Sequence, residues 1–352
     1  MKVLLISLSL GKGSGAERVL EYLLEGIPLE SRADYALLAP PTSALYIRAQ
    51  ELAYFVHAWD SPDNSFIGNL NAYFKFSRNS IQHYQILHVW HTRCFEWGLF
   101  LKSKRQIVFG TLHDSPQAPQ ISFLRKWVMK ASAHRLDQLV VVSHALKTVC
   151  LDSRWTCDPL VIHNGLPEAS PVELNPGHSF RISFMGLIEP WKGFSIIENI
   201  LESGNCPKNW VFQIFGNPNP NLVLSLKTLA ERFPEQVIIK GYALPSEIFS
   251  ITDVLLHPSL QFDPYPTILL EAARAGIPVV ASRVGGTSEI VDHEKTGLIF
   301  EPSSWQEALD ALKYFHSHPD FSIELAQNSR AKFEKKFRVS SMVEKYSQLW
   351  NS

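Results

Sequence analysis

The feature that most constrains this fold is an alternation of apolar strand-like runs and amphipathic helical segments that occurs twice. The first alternation opens with an apolar run at 3–8, a glycine-rich loop at 11–15 and a helical pattern at 16–24, as a parallel sheet does. The second opens at Phe180. Residues 166–179, between the two, hold three prolines and few large apolar side chains, which is typical of a linker. The sequence therefore predicts two α/β domains with parallel sheets.

Composition narrows the class of protein. The length of 352 residues agrees with two domains of ~150 residues each. A net charge of -1 gives no support to nucleic-acid binding. Four cysteines without C-x-x-C spacing indicate a reducing compartment. No window reaches ~18 uninterrupted apolar residues, and the N-terminal run is interpreted as a first strand. We expect a cytoplasmic protein whose membrane contact, if present, is peripheral.

The stretch 257–286 carries the clearest chemistry. Asp263 and Glu271 are acids with seven residues between them, and Pro266 precedes a predicted helix, Thr267–Ala275. Proline suits a helix start, and the free backbone N–H groups of a first turn can hold an anion. One acid then lies on the loop before the helix, and the other lies about one turn inside it. This arrangement suits a phosphate flanked by two sugars, as in a nucleotide-sugar.

Two glycine-containing loops offer further ligand contacts. Gly11, Gly13 and Gly15 with Ala16 partly match a dinucleotide fingerprint, but the acid expected at the end of the second strand is missing. A nicotinamide site, a tight turn, and a backbone surface that a ligand approaches closely all stay open, and the last is preferred. A second loop places Lys192 after a strand and a glycine, where it can neutralise phosphate or simply face solvent.

Two other patterns bear on partners. The segment 121–135 mixes apolar and basic residues, so it could contact anionic lipid. The preferred alternative is a domain helix that packs Phe123, Trp127 and Val128 inward and leaves its basic residues in solvent. The sequence has no H-E-x-x-H and no D-x-D triplet. We therefore predict no metal site, no cofactor and metal-independent chemistry.

Six segments in this order resemble the retaining glycosyltransferases of family 4. They are GSGAERV at 13–19, TLHD at 111–114, VVSH at 141–144, VIHNGL at 161–166, GLIEPWKG at 186–193 and the stretch 257–286. The resemblance covers nearly the whole chain. It implies the GT-B fold: two Rossmann-like domains that face a cleft, with a C-terminal helix that crosses back. Residues 1–170 would bind the acceptor, 171–332 would bind the nucleotide-sugar donor, and 333–352 would pack on the first domain.

The resemblance also implies roles for individual residues. Lys192 would hold the donor phosphates, Glu271 the ribose hydroxyls, and Asp263 and His113 would lie at the donor sugar; His113, Lys192 and Asp263 form the catalytic set. The other expected donor contacts are Gly15, Gly186, Gly216, Asn217, Gly241, Tyr242, Tyr265, Pro266, Thr267 and Ile268. Tyr242 would stack on the base or fill the core.

The chain departs from the family pattern at three positions of the donor site. Leu187 stands where the family has the arginine of its phosphate clamp, so Arg274 or Arg283 is a candidate replacement. Asp263 replaces a glutamate, and Pro264 replaces a glycine and removes an N–H. These changes bear on the identity of the donor sugar more than on the class of reaction.

The implied reaction is retaining, metal-independent transfer of a hexose in polysaccharide biosynthesis. The expected donor is a UDP-sugar, with glucose as the leading sugar. The acceptor would be a hydroxyl of a glycan or a lipid-linked saccharide. Two alternatives stay open: a nucleotide-sugar-binding protein with little or no turnover, and an NAD-dependent Rossmann enzyme.

Overall fold

Two separate parallel sheets organise the chain in a computed structural model. The described residues are 1–9, 15–63, 65–117, 121–155, 158–172 and 179–352. Unit 1 comprises Met1–Pro167 with Arg338–Ser352, and unit 2 comprises Glu168–Phe337. The sequence predicts boundaries after residues 170 and 332. The glycines predicted to matter at positions 11 and 13 lie outside the described residues.

Unit 1 alternates strands and helices. Its strands are β1 (Val3–Ile6), β2 (Tyr35–Ala39), β3 (Phe55–Ala58), β4 (Ile86–Val89), β5 (Ile107–Leu112), β6 (Gln138–Val141) and β7 (Leu160–Val161). Its helices up to Pro167 are α1 (Gly15–Gly26), α2 (Ala44–Glu51), α3 (Phe66–Lys75), α4 (Phe95–Leu101), α5 (Phe123–Ala133) and α6 (His144–Asp152). The parallel sheet has the order β3-β2-β1-β4-β5-β6-β7. Every residue of β1 and β4 is buried, because helices cover both faces of such a sheet.

Unit 2 repeats this plan. Its strands are β8 (Phe180–Met185), β9 (Trp210–Phe215), β10 (Val237–Gly241), β11 (Val254–His257), β12 (Val279–Ser282) and β13 (Leu298–Phe300). Its helices are α7 (Phe194–Glu202), α8 (Val223–Arg232), α9 (Pro245–Phe249), α10 (Thr267–Ala275), α11 (Thr287–Ile290), α12 (Trp305–Ser317) and α13 (Pro319–Lys336). The order is β10-β9-β8-β11-β12-β13. In both sheets the strand order reverses beside the first strand of the unit. Ligands of doubly wound sheets bind at such a point, beyond the carboxyl ends of the strands. The predicted fold class of two Rossmann-like parallel-sheet domains is confirmed.

Helix α14 (Val339–Asn351) completes the core of unit 1, and its side chains Tyr346 and Trp350 are 1% exposed. The indole N–H of Trp350 donates to Nδ1 of His88 at 2.9 Å, and Nε2 of His88 lies 2.8 Å from Oγ1 of Thr111. Burial lowers the pKa of His88 to about 3. Because Nδ1 accepts a hydrogen bond, the proton of this neutral imidazole lies on Nε2 and is donated to Thr111.

The C-terminal tail has a helical sequence pattern from Phe321 to Trp350. In the structure this region forms two helices. Helix α13 ends at Lys336 and α14 begins at Val339. The backbone N–H of Val339 donates to the carbonyl of Leu166 at 2.8 Å. This bond holds the chain in an extended conformation at Arg338. No proline or glycine marks the break, so the local sequence does not reveal it.

Helix α5 packs differently from the preferred prediction. The inward packing of Phe123 and Trp127 is wrong, because these side chains are 86% and 63% exposed. The buried face instead contains Met129, Ser132 and Ala133. Among the described residues, no helix is both long and apolar enough to cross a bilayer.

Candidate functional site

Three neighbouring strands of unit 2 end in glycines with bare, accessible backbone. Gly186 follows β8, Gly216 follows β9 and Gly241 ends β10, with φ values of 133°, 130° and 69°. The N–H of Gly216 donates to the carbonyl of Gly241 at 2.8 Å, and a Cβ on Gly216 would lie 1.8 Å from the carbonyl oxygen of Gly186. A Cβ on Gly186 or Gly241 would meet no atom within 4 Å. The ends of β8 and β10 therefore leave open space over their glycine backbone, where a ligand can approach closely, whereas Gly216 is needed for the close contact with Gly186.

The turn before α7 holds Lys192 over the end of β11. Gly193 has a φ of 80°, and a Cβ there would lie 1.8 Å from the backbone oxygen of Pro258. The N–H of Leu260 donates to the carbonyl of Trp191 at 2.7 Å. The Lys192 ammonium lies 4.2 Å from the centroid of the Trp191 ring. This close contact between two loops fixes where the Lys192 ammonium can reach.

Lys192 and Asp263 form a buried ion pair. Nζ of Lys192 donates to Oδ2 of Asp263 at 2.6 Å, and the two side chains are 19% and 9% exposed. Burial by itself raises the pKa of the Asp263 carboxyl, but the charge of Lys192, together with His257 and the hydrogen bond, holds it below its ordinary value. Asp263 is therefore ionised at neutral pH. The first acid of the predicted motif is neutralised by the lysine predicted to bind phosphate.

His257 is a third member of this cluster, and the sequence analysis assigns it no role. Its Nε2 lies 3.6 Å from Oδ2 of Asp263 and 3.3 Å from Oγ of Ser259. Burial, and then the charge of Lys192, lowers the pKa of His257 to about 4. The imidazole is neutral at pH 7, so Lys192 alone supplies the positive charge beside Asp263. Its position as the last residue of β11, at a strand end where ligands bind, is the signal that could have identified it.

Gly285 and Gly286 hold the backbone of Asp263 in place. The N–H of Gly286 donates to the Asp263 carbonyl at 2.9 Å. Gly285 has a φ of 49°, and a Cβ there would lie 1.9 Å from the same carbonyl oxygen. Any side chain at Gly285 would therefore displace Asp263, which explains the glycine.

Helix α10 begins where the sequence predicts, with Pro266 as its N-cap and no side chain capping its first turn. Thr267 and Ile268 are partly exposed, whereas Glu271, one turn further on, is 5% exposed. Tyr265, just before the helix, is also 5% exposed, and burial raises the pKa of its phenol well above the ordinary value. The N–H of Leu269 donates to the carbonyl of Pro266 at 3.1 Å, so the N–H groups that this turn offers to a ligand are those of Thr267 and Ile268.

The other predicted donor residues lie at the rim of these strand ends. Tyr242 is 68% exposed, so the alternative that it fills the core is wrong. Asn217 is exposed, and its carbonyl accepts the N–H of Ile188 at 3.1 Å. Leu187 is 63% exposed, so an apolar side chain faces solvent where the family has a cation. Arg283 pairs with Glu301 at 2.6 Å.

Of the two candidate replacements for the clamp arginine, Arg274 is also poorly placed. It lies in the last turn of α10, at the end opposite to Thr267. Arg274 therefore lies away from the helix start and Arg283 is paired with Glu301, and the phosphate-binding role of Lys192 stays a prediction.

In unit 1, His113 lies beside the start of α1. Its Nε2 is buried without a hydrogen-bond partner among the described residues, and its ring lies 5.0 Å from that of Trp90. The indole N–H of Trp90 donates to the carbonyl of Ala16 at 2.8 Å. Gly15 is the exposed first residue of α1. Trp90, which follows β4, therefore connects the predicted site residue His113 to the start of α1, and the sequence analysis missed it.

The protonation state of His113 follows from its burial. Burial, and then the neighbouring His91 and His88, lowers its pKa well below the ordinary value. The imidazole is therefore neutral at pH 7. A neutral ring with a buried, unsatisfied nitrogen can donate or accept a hydrogen bond from a ligand hydroxyl.

Comparison with known proteins finds a family model that is similar to unit 2. The family model described as "Glycosyl transferases group 1" matches residues 167–335. A Klebsiella pneumoniae protein, described as an uncharacterized 41.2 kDa protein in the cps region, is 27% identical over 177 residues. That alignment covers 49% of this chain and 46% of the relative, so the chain spans less than half of the relative's length.

A characterised relative and a solved structure extend the likeness to unit 1. The Escherichia coli UDP-Gal:alpha-D-GlcNAc-diphosphoundecaprenol alpha-1,3-galactosyltransferase is 23% identical over 266 residues, covering 69% of this chain and 67% of that enzyme. The crystal structure of Anabaena HepE in complex with UDP-glucose covers 100% of this chain and 99% of its own, with a TM-score of 0.84 and 20% identity. The likeness in structure establishes the GT-B fold of this chain.

Proposed function

Because residues 167–335 match the model of the family described as "Glycosyl transferases group 1", we propose that the protein is a retaining, metal-independent hexosyltransferase. It takes a nucleotide-diphospho-sugar, with UDP-glucose as the leading donor. It transfers the hexose to a hydroxyl of a glycan or lipid-linked saccharide in polysaccharide biosynthesis. The observation that carries the proposal is the ion pair of Lys192 and Asp263, which lie on the loops after the neighbouring strands β8 and β11, at the switch point of the unit 2 sheet.

The mechanism that we propose stabilises charge on the leaving diphosphate while the sugar becomes oxocarbenium-like. Lys192 and the backbone N–H groups at Thr267 receive the diphosphate. Glu271 binds the ribose, and Asp263 positions Lys192 and the sugar without becoming a covalent nucleophile. The acceptor attacks from the same face, and a leaving phosphate oxygen takes its proton. The neutral His113 offers a hydrogen bond to a sugar hydroxyl.

The relatives support the donor and acceptor classes. HepE was crystallised with UDP and with UDP-glucose, and the E. coli relative is named for a UDP-sugar donor and a diphosphoundecaprenol-linked acceptor. The Klebsiella relative is encoded in a cps region. We propose by extension a cytoplasmic protein that meets its acceptor through a peripheral membrane contact of unit 1.

A thermal-shift screen of UDP- and GDP-sugars, run in EDTA, tests this proposal. We expect a UDP-sugar to raise the unfolding temperature and to be hydrolysed slowly without added metal. A shift with NAD and none with any nucleotide-sugar would assign the alternative Rossmann chemistry. A rise in unfolding temperature with a nucleotide-sugar, without hydrolysis or transfer to any acceptor, would support the alternative of a nucleotide-sugar-binding protein with little or no turnover.

Two variants test the residues of the site. Lys192→Ala and Glu271→Ala should each raise the donor Kd by at least about tenfold, because each removes a charge-assisted hydrogen bond. Lys227→Ala and Glu231→Ala, at exposed positions on α8, are matched controls that should bind like the wild type. Unchanged donor affinity in both site variants would contradict the site assignment.

A further inference from the structure

His257 is a buried titratable residue that the proposed mechanism does not use. It is the last residue of β11 and is 4% exposed. Its Nε2 lies 3.6 Å from Oδ2 of Asp263, just outside hydrogen-bond distance. The same oxygen accepts a hydrogen bond from Nζ of Lys192 at 2.6 Å. One carboxylate oxygen therefore has an ammonium in contact with it and an imidazole close by.

Two serines hold the imidazole beside Asp263. Oγ of Ser259 lies 3.3 Å from Nε2 of His257. Oγ of Ser282, the last residue of β12, donates to the carbonyl of Ser259 at 2.6 Å, and both serines are fully buried. Neither contact involves Lys192. The imidazole therefore keeps its place in the cluster when the ammonium moves.

Lys192 meets two demands in the proposed function. Its ammonium neutralises Asp263, whose side chain is 9% exposed, and it also binds the diphosphate of the donor. An ammonium that turns to the diphosphate leaves the carboxylate short of a partner, and a buried charge without a partner is strongly destabilising. Within the described ranges, the residues whose charge acts on the Asp263 carboxyl are Lys192 and His257. His257 is therefore the group that can replace Lys192 there.

We propose that His257 is a positioning residue of the donor site. When Lys192 turns to the diphosphate, the imidazole takes up a proton from solvent and donates a hydrogen bond from Nε2 to Oδ2 of Asp263. The carboxylate keeps a cationic neighbour, and the ammonium is released for the donor. This inference rests on the proposed function, in which Lys192 binds the diphosphate. It adds that donor binding and proton uptake are linked.

The link has a defined sign. In the free protein, burial and then the charge of Lys192 lower the pKa of His257 to about 4, while Asp263 acts in the opposite direction. A bound diphosphate offsets the charge of Lys192, so the pKa of His257 rises in the complex. The complex then binds more protons than the free protein, and donor affinity should increase as pH falls. A histidine that only packed the strand end would show no such link.

Calorimetric titration of the full chain with UDP-glucose from pH 8 to pH 5.5 tests the link. UDP-glucose is the suitable probe because its diphosphate is esterified at both ends, whereas UDP has a terminal phosphate that titrates near pH ~6. The Kd should be at least ~3-fold lower at pH 5.5 than at pH 8. The binding heat at pH 5.5 should also differ between buffers of high and low ionisation enthalpy, because the complex takes up a proton.

His257→Gln separates the proton from the packing. Glutamine can donate a hydrogen bond but does not titrate, so the ratio of the Kd values at pH 8 and pH 5.5 should be near one, without proton uptake. A purely structural role would change the Kd equally at both pH values. His316→Gln, at an exposed position on α12, is the matched control and should keep the wild-type ratio. Unfolding temperatures check that both variants are folded at both pH values.

A second measurement needs no donor. In Lys192→Met without ligand, the NMR signal of the His257 ring, assigned by its loss in His257→Gln, should show protonation between pH 8 and pH 5. The wild-type ring should stay mostly neutral over this range, since its pKa is about 4. Adding Asp263→Asn to Lys192→Met should abolish the protonation, because the carboxylate charge is what favours the imidazolium.

The two measurements distinguish this inference from the proposed function. A UDP-glucose Kd that is independent of pH, or that keeps its pH dependence in His257→Gln, would overturn the inference and leave the proposed function intact. A protein that binds no nucleotide-sugar would contradict the proposed function, yet protonation of the ring in Lys192→Met would still support the change of partner at Asp263. A ring that stays neutral in that variant would overturn the inference whether or not a donor binds.

Discussion

Replacing Lys192 by methionine should destabilise unit 2, because it removes the cation that offsets the buried charge of Asp263. The Asp263 side chain is 9% exposed, and its Oδ2 lies 2.6 Å from Nζ of Lys192. Removing one partner of a buried ion pair costs ~3–5 kcal/mol. The Lys192 side chain keeps 19% exposure, so we take the lower end of that range, about 3 kcal/mol.

The loss should depend on pH in a defined direction. In the wild type the folded-state pKa of Asp263 is lowered, so the stability that it contributes is present above the unfolded pKa and is lost as pH falls through the folded pKa. Without Lys192, burial dominates and raises the pKa of Asp263 above its ordinary value. Protonation then removes the unpaired charge. The deficit of Lys192→Met relative to the wild type should therefore be largest at pH 7 and should shrink on acidification.

Hydrogen-exchange mass spectrometry measures this loss on peptides from β8 and β11. A loss of about 3 kcal/mol corresponds to roughly 150-fold faster exchange of the most protected amides, since 1.36 kcal/mol is a factor of ten. Adding Asp263→Asn to Lys192→Met should restore at least half of the protection, because no charge is then buried alone. Equal protection of the single variant and the wild type, or a deficit that is the same at pH 7 and pH 5, would refute the reasoning.

Three further predictions concern Gly193, the buried histidines and Trp90. Gly193→Ala should destabilise unit 2 and weaken donor binding in a thermal-shift titration, because φ is 80° and the new Cβ would lie 1.8 Å from a backbone oxygen; wild-type behaviour would contradict the packing of this loop. The folded-state pKa values of about 3 for His88 and about 4 for His257 lie below the unfolded value of ~6.5. Stability is therefore complete above that value and should fall below it by up to ~1.4 kcal/mol per pH unit for each histidine; urea unfolding from pH 7 to 5 measures the slope, and His88→Gln should reduce it. Trp90→Phe keeps an aromatic ring but removes the N–H donated at 2.8 Å to the start of α1, so it should cost about 1 kcal/mol and lower the transfer rate at saturating donor; an unchanged rate would make Trp90 structural only.

The sequence predicts the backbone of this fold well wherever a short apolar run is bounded by turn residues. The helix predicted at Thr267–Ala275 has the observed bounds. The apolar runs at 35–39, 107–112, 279–282 and 298–300 predict four strands, and they coincide with β2, β5, β12 and β13. Proline before the helix and glycine after it are local signals that no tertiary contact overrides. The break between α13 and α14 could not be predicted in this way, because its cause is a hydrogen bond to Leu166, distant in sequence.

Side-chain contacts were harder to predict than elements. The ion pair of Lys192 and Asp263 joins residues on different loops. The two side chains meet because β8 and β11 are neighbours in the sheet, and neither motif by itself reveals this. Helix α5 shows the same limit, because helical periodicity identifies stripes of residues without saying which stripe meets the sheet. Its small residues Ser132 and Ala133 are buried, although residue size predicts Phe123 and Trp127 in the core.

The contribution of α14 to the core of unit 1 has a consequence for the order of biosynthesis. While the ribosome is still adding residues 338–352, the β-sheet of unit 1 lacks the helix whose Trp350 contacts His88. Unit 2 is one continuous segment, 168–337, and can finish folding before that helix emerges. Although domains generally complete in order from the N-terminus, here unit 1, whose strands are translated first, must wait for residues 338–352 to close its core.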